Sequence, residues 1–147
     1  MTPAKAGAVA AVVSGIPSTA HALFTGGDVL AATRAAGTLL PGRRGRPGVV
    51  AGFVAHVVVS AAWTGVLAAV ARHRRLGAGG GAVAGLAIAV LDLGIAARAY
   101  PAVRDLPRGP QILDHLVFGA VTGALLDRPR ETDQRTTSTT SPGFSEL

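Results

Sequence analysis

Four apolar runs punctuate the chain, at residues 4–24, 48–70, 78–99 and 111–126, separated by short stretches rich in Arg, Gly and Pro. A helix needs about 20 apolar residues to cross a hydrocarbon core of ~30 Å. The first three runs reach that length, and the fourth sits near the lower limit. Within the runs, polar residues recur at helical spacing. Ser14, Ser18, His21 and Thr25 would share one face of a helix, as would Gly52, His56, Ser60 and Trp63. A polar stripe on a spanning helix is expected to face protein or water, because lipid cannot satisfy it. Pro17 interrupts the first run, and Ser14 or Ser18 could satisfy the carbonyl it frees. Gly81 and Gly85, and again Gly119 and Gly123, have the small-xxx-small spacing that lets helix backbones approach closely in membranes.

The segments between the runs read as follows. Thr25-Gly26-Gly27-Asp28 is a turn that offers Asp28 as a helix N-cap. Residues 29–40 then form a short helix stopped by Pro41-Gly42, too short to span. Its apolar face suits an interfacial helix on the bilayer. The alternative is a helix folded back over the bundle that aims Arg34 at an acid. Arg43, Arg44 and Arg46 make a cationic loop that reads as a headgroup and topology signal. His73 lies among arginines and is expected to be solvated, whereas Arg98 and Tyr100 read as interface anchors. Residues 101–110 are a Pro/Arg loop. Residues 127–147 turn to Arg, Glu, Asp, Thr and Ser, a composition that predicts a disordered polar tail. The first run could also serve as a signal peptide, with Ala20-His21-Ala22 near a cleavage site, but its diluted core and the spans that follow favour a retained helix.

Composition strengthens the membrane reading. Apolar residues make up 49% of the 147 residues and charged ones only 15%, and the charges are segregated into the connections. The net charge of +6 would fit nucleic-acid binding. However, the arginines cluster at the ends of apolar runs, and aromatics are too few for a stacking platform. Without cysteine there is no disulfide, thiolate metal site or cysteine nucleophile. The chain carries one lysine against thirteen arginines and is rich in Ala, Gly, Val and Pro, a GC-rich alphabet that weakens small residues as evidence of tight packing. The expected fold is therefore all-α: a four-span integral membrane four-helix bundle with a short interfacial helix after the first span.

If the spans alternate direction, five titratable groups fall in the same half of the bilayer: His21, His56, Asp92, Asp114 and His115. A charged group at that depth is costly, which makes each a candidate functional residue that needs a partner or a proton. Three readings follow. In the first, the groups staple a non-enzymatic bundle or a subunit of a larger membrane assembly. Asp92 would then pair with His56 or Arg98, and Asp114 with His21 or Arg34, with Ser14, Ser18 and Ser60 filling in. This is the preferred expectation. In the second, they line a transport-like pocket for a proton, ion or small solute. In the third, they hold a metal ion, perhaps for catalysis, although no compact ligand spacing such as H-x-x-x-H supports it. No phosphate loop, nucleophile elbow or dinucleotide fingerprint occurs, and no cofactor is expected.

Positive charge leaves orientation undecided, with seven Lys/Arg on each side; the balance also fits a homodimer. The stretch Asp114-His115-Leu116-Val117-Phe118-Gly119-Ala120-Val121-Thr122-Gly123, together with residues 14–23 and 28–40, resembles small four-span membrane proteins of unknown function from high-GC bacteria. The resemblance covers about residues 5–126. It implies a bacterial inner-membrane location and brings no reaction or catalytic residue with it.

Overall fold

The computed structural model describes residues 1–127, whose regular structure is all helical, with no strand among them. In chain order the helices are α1 (Pro3–Val13), α2 (Ile16–Thr25), α3 (Ala31–Ala36) with a 3-10 turn (Gly37–Leu39), and α4 (Val49–Ala71). Then come α5 (Gly77–Leu91), a π-helical turn (Asp92–Ala96), α6 (Ala97–Ala99), α7 (Pro101–Arg104) and α8 (Arg108–Leu126). Among the described residues, three stretches are long and apolar enough to cross a membrane: Pro3–Thr25, Val49–Ala71 and Gly77–Ala99.

Besides a small apolar core, large apolar side chains lie on the outside and several hydroxyl-bearing ones on the inside. Phe24, Val50 and Val12 are 91%, 80% and 79% exposed, while Ser14, Ser60, Thr64 and Thr122 are buried. In water, exposed apolar surface costs about 25 cal/mol per Å², so a large continuous apolar exterior marks contact with lipid or another apolar partner. Once the surroundings are apolar, hydrophobicity no longer sorts inside from outside. Size and hydrogen bonding decide instead, and small or hydroxylated residues take the helix contacts. Thr64 donates to the Ser60 carbonyl at 2.7 Å, and Thr38 to that of Ala35 at 2.7 Å, so both hydroxyls can be buried.

Glycines set the closest helix contacts. α5 and α8 run antiparallel, with Gly81 against the Gly119 carbonyl, Gly85 against that of His115 and Gly123 against that of Gly77. The two small-xxx-small pairs therefore meet each other. On the other side of the bundle, Gly7 of α1 packs on the Thr64 side chain of α4. A core of Ala10, Leu67, Ile88 and Phe118, flanked by Trp63, joins α1, α4, α5 and α8.

The chain departs from expectation in three connections. The helix expected over residues 29–40 starts only at Ala31, because the Asp28 carboxylate accepts from Leu30 N–H at 2.9 Å and forms a turn instead of an N-cap. The short helix lies on α4, with Gly52 against the Thr33 carbonyl and Gly37 against the backbone of Gly48 and Gly52. α8 begins at Arg108, three residues before the expected boundary, and the 101–110 loop contains α7. The tail expected to be disordered lies outside the described residues, except for Asp127. Its carboxylate accepts from Gly77 N–H at 2.6 Å and Leu76 N–H at 3.4 Å, capping the start of α5 from the end of α8.

Candidate functional site

Pro17 builds the first wall of the site. A proline there has no N–H to donate and its ring collides with the carbonyl of Val13, so one apolar run becomes two helices, α1 and α2, with Ser14 and Gly15 between them. The Ser14 hydroxyl donates back to the Ala11 carbonyl at 3.2 Å and the Ser18 hydroxyl to that of Gly15 at 3.3 Å. Ser18 lies in the first turn of α2, where backbone N–H groups have no helical acceptor. Its N–H donates to Asp114 Oδ1 of α8 at 3.0 Å. The Asp114 carboxylate thus caps a helix broken within the apolar run, where the helix dipole also favours an anion. The partners expected from sequence, His21 and Arg34, are both elsewhere. Arg34 is paired with Asp28, two turns earlier in its own segment. His21 is exposed, since no residue of α2 is buried and the break at Pro17 ends the stripe that would have turned it inward.

The second wall depends on the glycine contact between α5 and α8. Gly85 rests on the His115 carbonyl, and two turns further along the same face Asp92 meets the His115 ring, with Nε2 3.1 Å from Asp92 Oδ2. The other ring nitrogen, Nδ1, lies 2.7 Å from the Gln111 carbonyl. A carbonyl can only accept, so Nδ1 carries a proton. The bond to Asp92 then needs a second proton, on His115 Nε2 or on the carboxyl group. The pair is neutral overall in either case. Neither His56 nor Arg98 serves Asp92. His56 Nε2 lies 3.0 Å from the Ala11 carbonyl, one of the last acceptors of α1, and Arg98, beyond the π turn, is exposed and forms no salt bridge among the described residues.

These two walls face each other across a cavity of about 230 Å³. Asp92, Asp114, His115 and Gln111 line it together with His56, Ser14, Ser18 and Ser60, and Trp63, Ile88 and Phe118 supply apolar surface. Val29 of the turn before α3 and Ala32, Thr33 and Ala36 of α3 complete the lining. Four of the five residues singled out from the sequence therefore share one cavity, and His21 does not line it. Among the described residues no lysine or arginine lines the cavity, and no three His, Asp or Glu side chains are close enough to share a metal ion. The hydrogen bonds described above engage one oxygen of each carboxylate.

Two features of the site have no clear sequence signal. One is the π turn at Asp92–Ala96, where Ala97 N–H reaches back five residues to the Asp92 carbonyl; such turns often occur at functional sites. The other is the role of Ser18, whose backbone rather than side chain binds Asp114. Pro17 is the clue to it, because a helix start inside an apolar run needs an acceptor from another element. Compared with known proteins, the chain matches no family model, no curated protein and no solved structure.

Proposed function

We propose that this chain is a four-span integral membrane protein of the bacterial inner membrane whose cavity binds a small, singly charged cationic solute, in a transport-like and non-enzymatic role. α8 would supply the fourth span, its polar first half turned toward the cavity. The observation that carries the reading is the charge of the lining. With His115 and Asp92 neutral as a pair and no lysine or arginine in the lining among the described residues, the Asp114 carboxylate is the charge left unbalanced at the cavity. At ~30 Å³ per water, the space of about 230 Å³ holds about eight waters, which suits a solute of a few heavy atoms. Trp63 and Phe118 would pack against its apolar part, and a cation near an aromatic face gains further attraction.

Trp63 is the single tryptophan of the chain and lines the cavity, which makes it a built-in reporter. Titrating the detergent-purified protein with methylammonium or guanidinium should change its emission saturably, while the neutral analogue acetamide should not. Asp114→Asn should abolish the response. Because a proton on Asp114 would neutralise the same site, the affinity of the parent protein should fall as the pH is lowered. A response to acetamide equal to that of the cations would sink the proposal. A second reading has its own support: the Asp92–His115 and Asp114–Ser18 contacts already join separate helices, as staples of a structural bundle would. Silence to every cation, together with a lowered unfolding temperature in Asp92→Asn, would select it.

A further inference from the structure

At the far end of α5 lies a second cavity of about 200 Å³ with the opposite chemistry. Arg98 of α6, Arg104 at the end of α7 and Arg108 at the start of α8 line it, over an apolar floor of Leu93, Gly94 and Ala97. Arg104 holds the neighbouring Asp105 at 3.2 Å, and among the described residues neither Arg98 nor Arg108 forms a salt bridge. With Arg104 held by Asp105, Arg98 and Arg108 are left to repel one another across the space unless an anion lies between them. A guanidinium presents its N–H groups as a planar fork that matches the oxygens of a phosphate. The site sits at the border of the apolar stretch Gly77–Ala99, where a membrane would present its headgroups. Ile95, 64% exposed, and Leu91 continue from it along the outside of the same stretch and offer a path for acyl chains.

We propose that Arg98, Arg104 and Arg108 form a binding site for a phosphate-bearing anion, either the headgroup of an acidic phospholipid or a free phosphate. None of the carboxylates or the tryptophan of the first cavity takes part, so this site stands or falls separately from the solute pocket. The π turn contributes Gly94 to the floor, where an added Cβ would meet nothing within 4 Å. A side chain there starts without a clash at its Cβ, so Gly94→Leu should add bulk to the floor of the site.

The test follows the unfolding temperature of the full-length protein in a neutral detergent, with added dioleoylphosphatidylglycerol, dioleoylphosphatidylcholine or inorganic phosphate. Phosphatidylglycerol should raise it by a few degrees and phosphatidylcholine should leave it unchanged. The rise should shrink by at least half in R98Q/R108Q and in Gly94→Leu, but persist in R43Q/R46Q, which removes as many arginines from another loop. A rise with phosphatidylglycerol but not with inorganic phosphate would identify a lipid site. A rise with inorganic phosphate that is lost in the same two variants would identify a free phosphate as the ligand. The proposal is overturned by any of three results: no rise with either anion, an equal rise with phosphatidylcholine, or a rise that survives R98Q/R108Q and Gly94→Leu or is lost equally in R43Q/R46Q.

Discussion

Single atoms decide how close the helices can come, and the clearest case is Gly119. A Cβ at this position would overlap the Gly81 carbonyl and press on the backbone of Gly85, neither of which can rotate away as a side chain could. At Gly65, also in a long apolar helix, a Cβ would meet nothing within 4 Å. The two glycines have the same chemistry and opposite tolerance. Gly119→Ala should therefore cost on the order of 1–3 kcal/mol, as overpacking of a rigid contact does, whereas Gly65→Ala should be neutral or slightly stabilising through helix propensity. Denaturant titration of the two variants in detergent, read by circular dichroism, would check this. Equal stability for both would show that the α5–α8 contact is looser than the structure has it. The same contact fixes the depth at which His115 faces Asp92, because Gly85 packs on the carbonyl of His115 itself. Gly119→Ala should consequently disturb the solute pocket as well as stability.

At the scale of elements, the site is made by the failure of two helices to remain regular. Pro17 divides the first apolar run, and the N–H it exposes at Ser18 is held by Asp114, 96 residues away in sequence. Pro17→Ala would let α1 and α2 fuse and return the Ser18 N–H to the Ser14 carbonyl. Asp114 would then lose its donor. In a double-mutant cycle, Asp114→Ala should be less costly in the Pro17→Ala background than in the parent, with a coupling of about 1 kcal/mol or more; purely additive costs would remove Ser18 as the partner. How much of this was legible follows from the range of each interaction. Local signals carried three membrane-length apolar helices, the Pro17 break, the glycine pairs and four of the five titratable residues that line the cavity. Partner choice was not legible, because it depends on rotation between helices. Asp114 and His115 are adjacent in sequence, yet one turns to α2 and the other to α5. His21 fits the stripe by spacing alone, but the stripe presumes a continuous helix, which Pro17 denies. The staple and pocket readings, posed as alternatives, also turn out to share the same side chains, which pair across helices and line one cavity.

For the whole molecule, the helix directions fix which ends lie together, whatever the membrane orientation. α1 and α4 are antiparallel, as the contacts of Gly7 with Thr64 and of Ala11 with His56 require, and α5 and α8 are antiparallel through their glycines. The start of α1, the turn between α4 and α5, and Asp127 therefore lie at one end, with the two cavities set toward the other. The natural sequence has no cysteine, so single-cysteine variants report position without background. Thr2→Cys, Arg75→Cys and Asp127→Cys should react with a membrane-impermeant maleimide from one face of intact cells or inverted vesicles, and Arg46→Cys and Asp105→Cys from the other. The decisive variant is Asp127→Cys. Its carboxylate caps α5 from the end of α8, so labelling on the same face as Arg75→Cys means that α8 crosses back through the bilayer despite Arg108, Gln111, Asp114 and His115 in its first half. In that outcome those polar residues would enter the apolar layer with Asp114 and His115 facing helix partners and a cavity rather than lipid. Labelling of Asp127→Cys together with Asp105→Cys would instead leave the chain with three crossings and would take away the membrane depth on which the solute pocket depends.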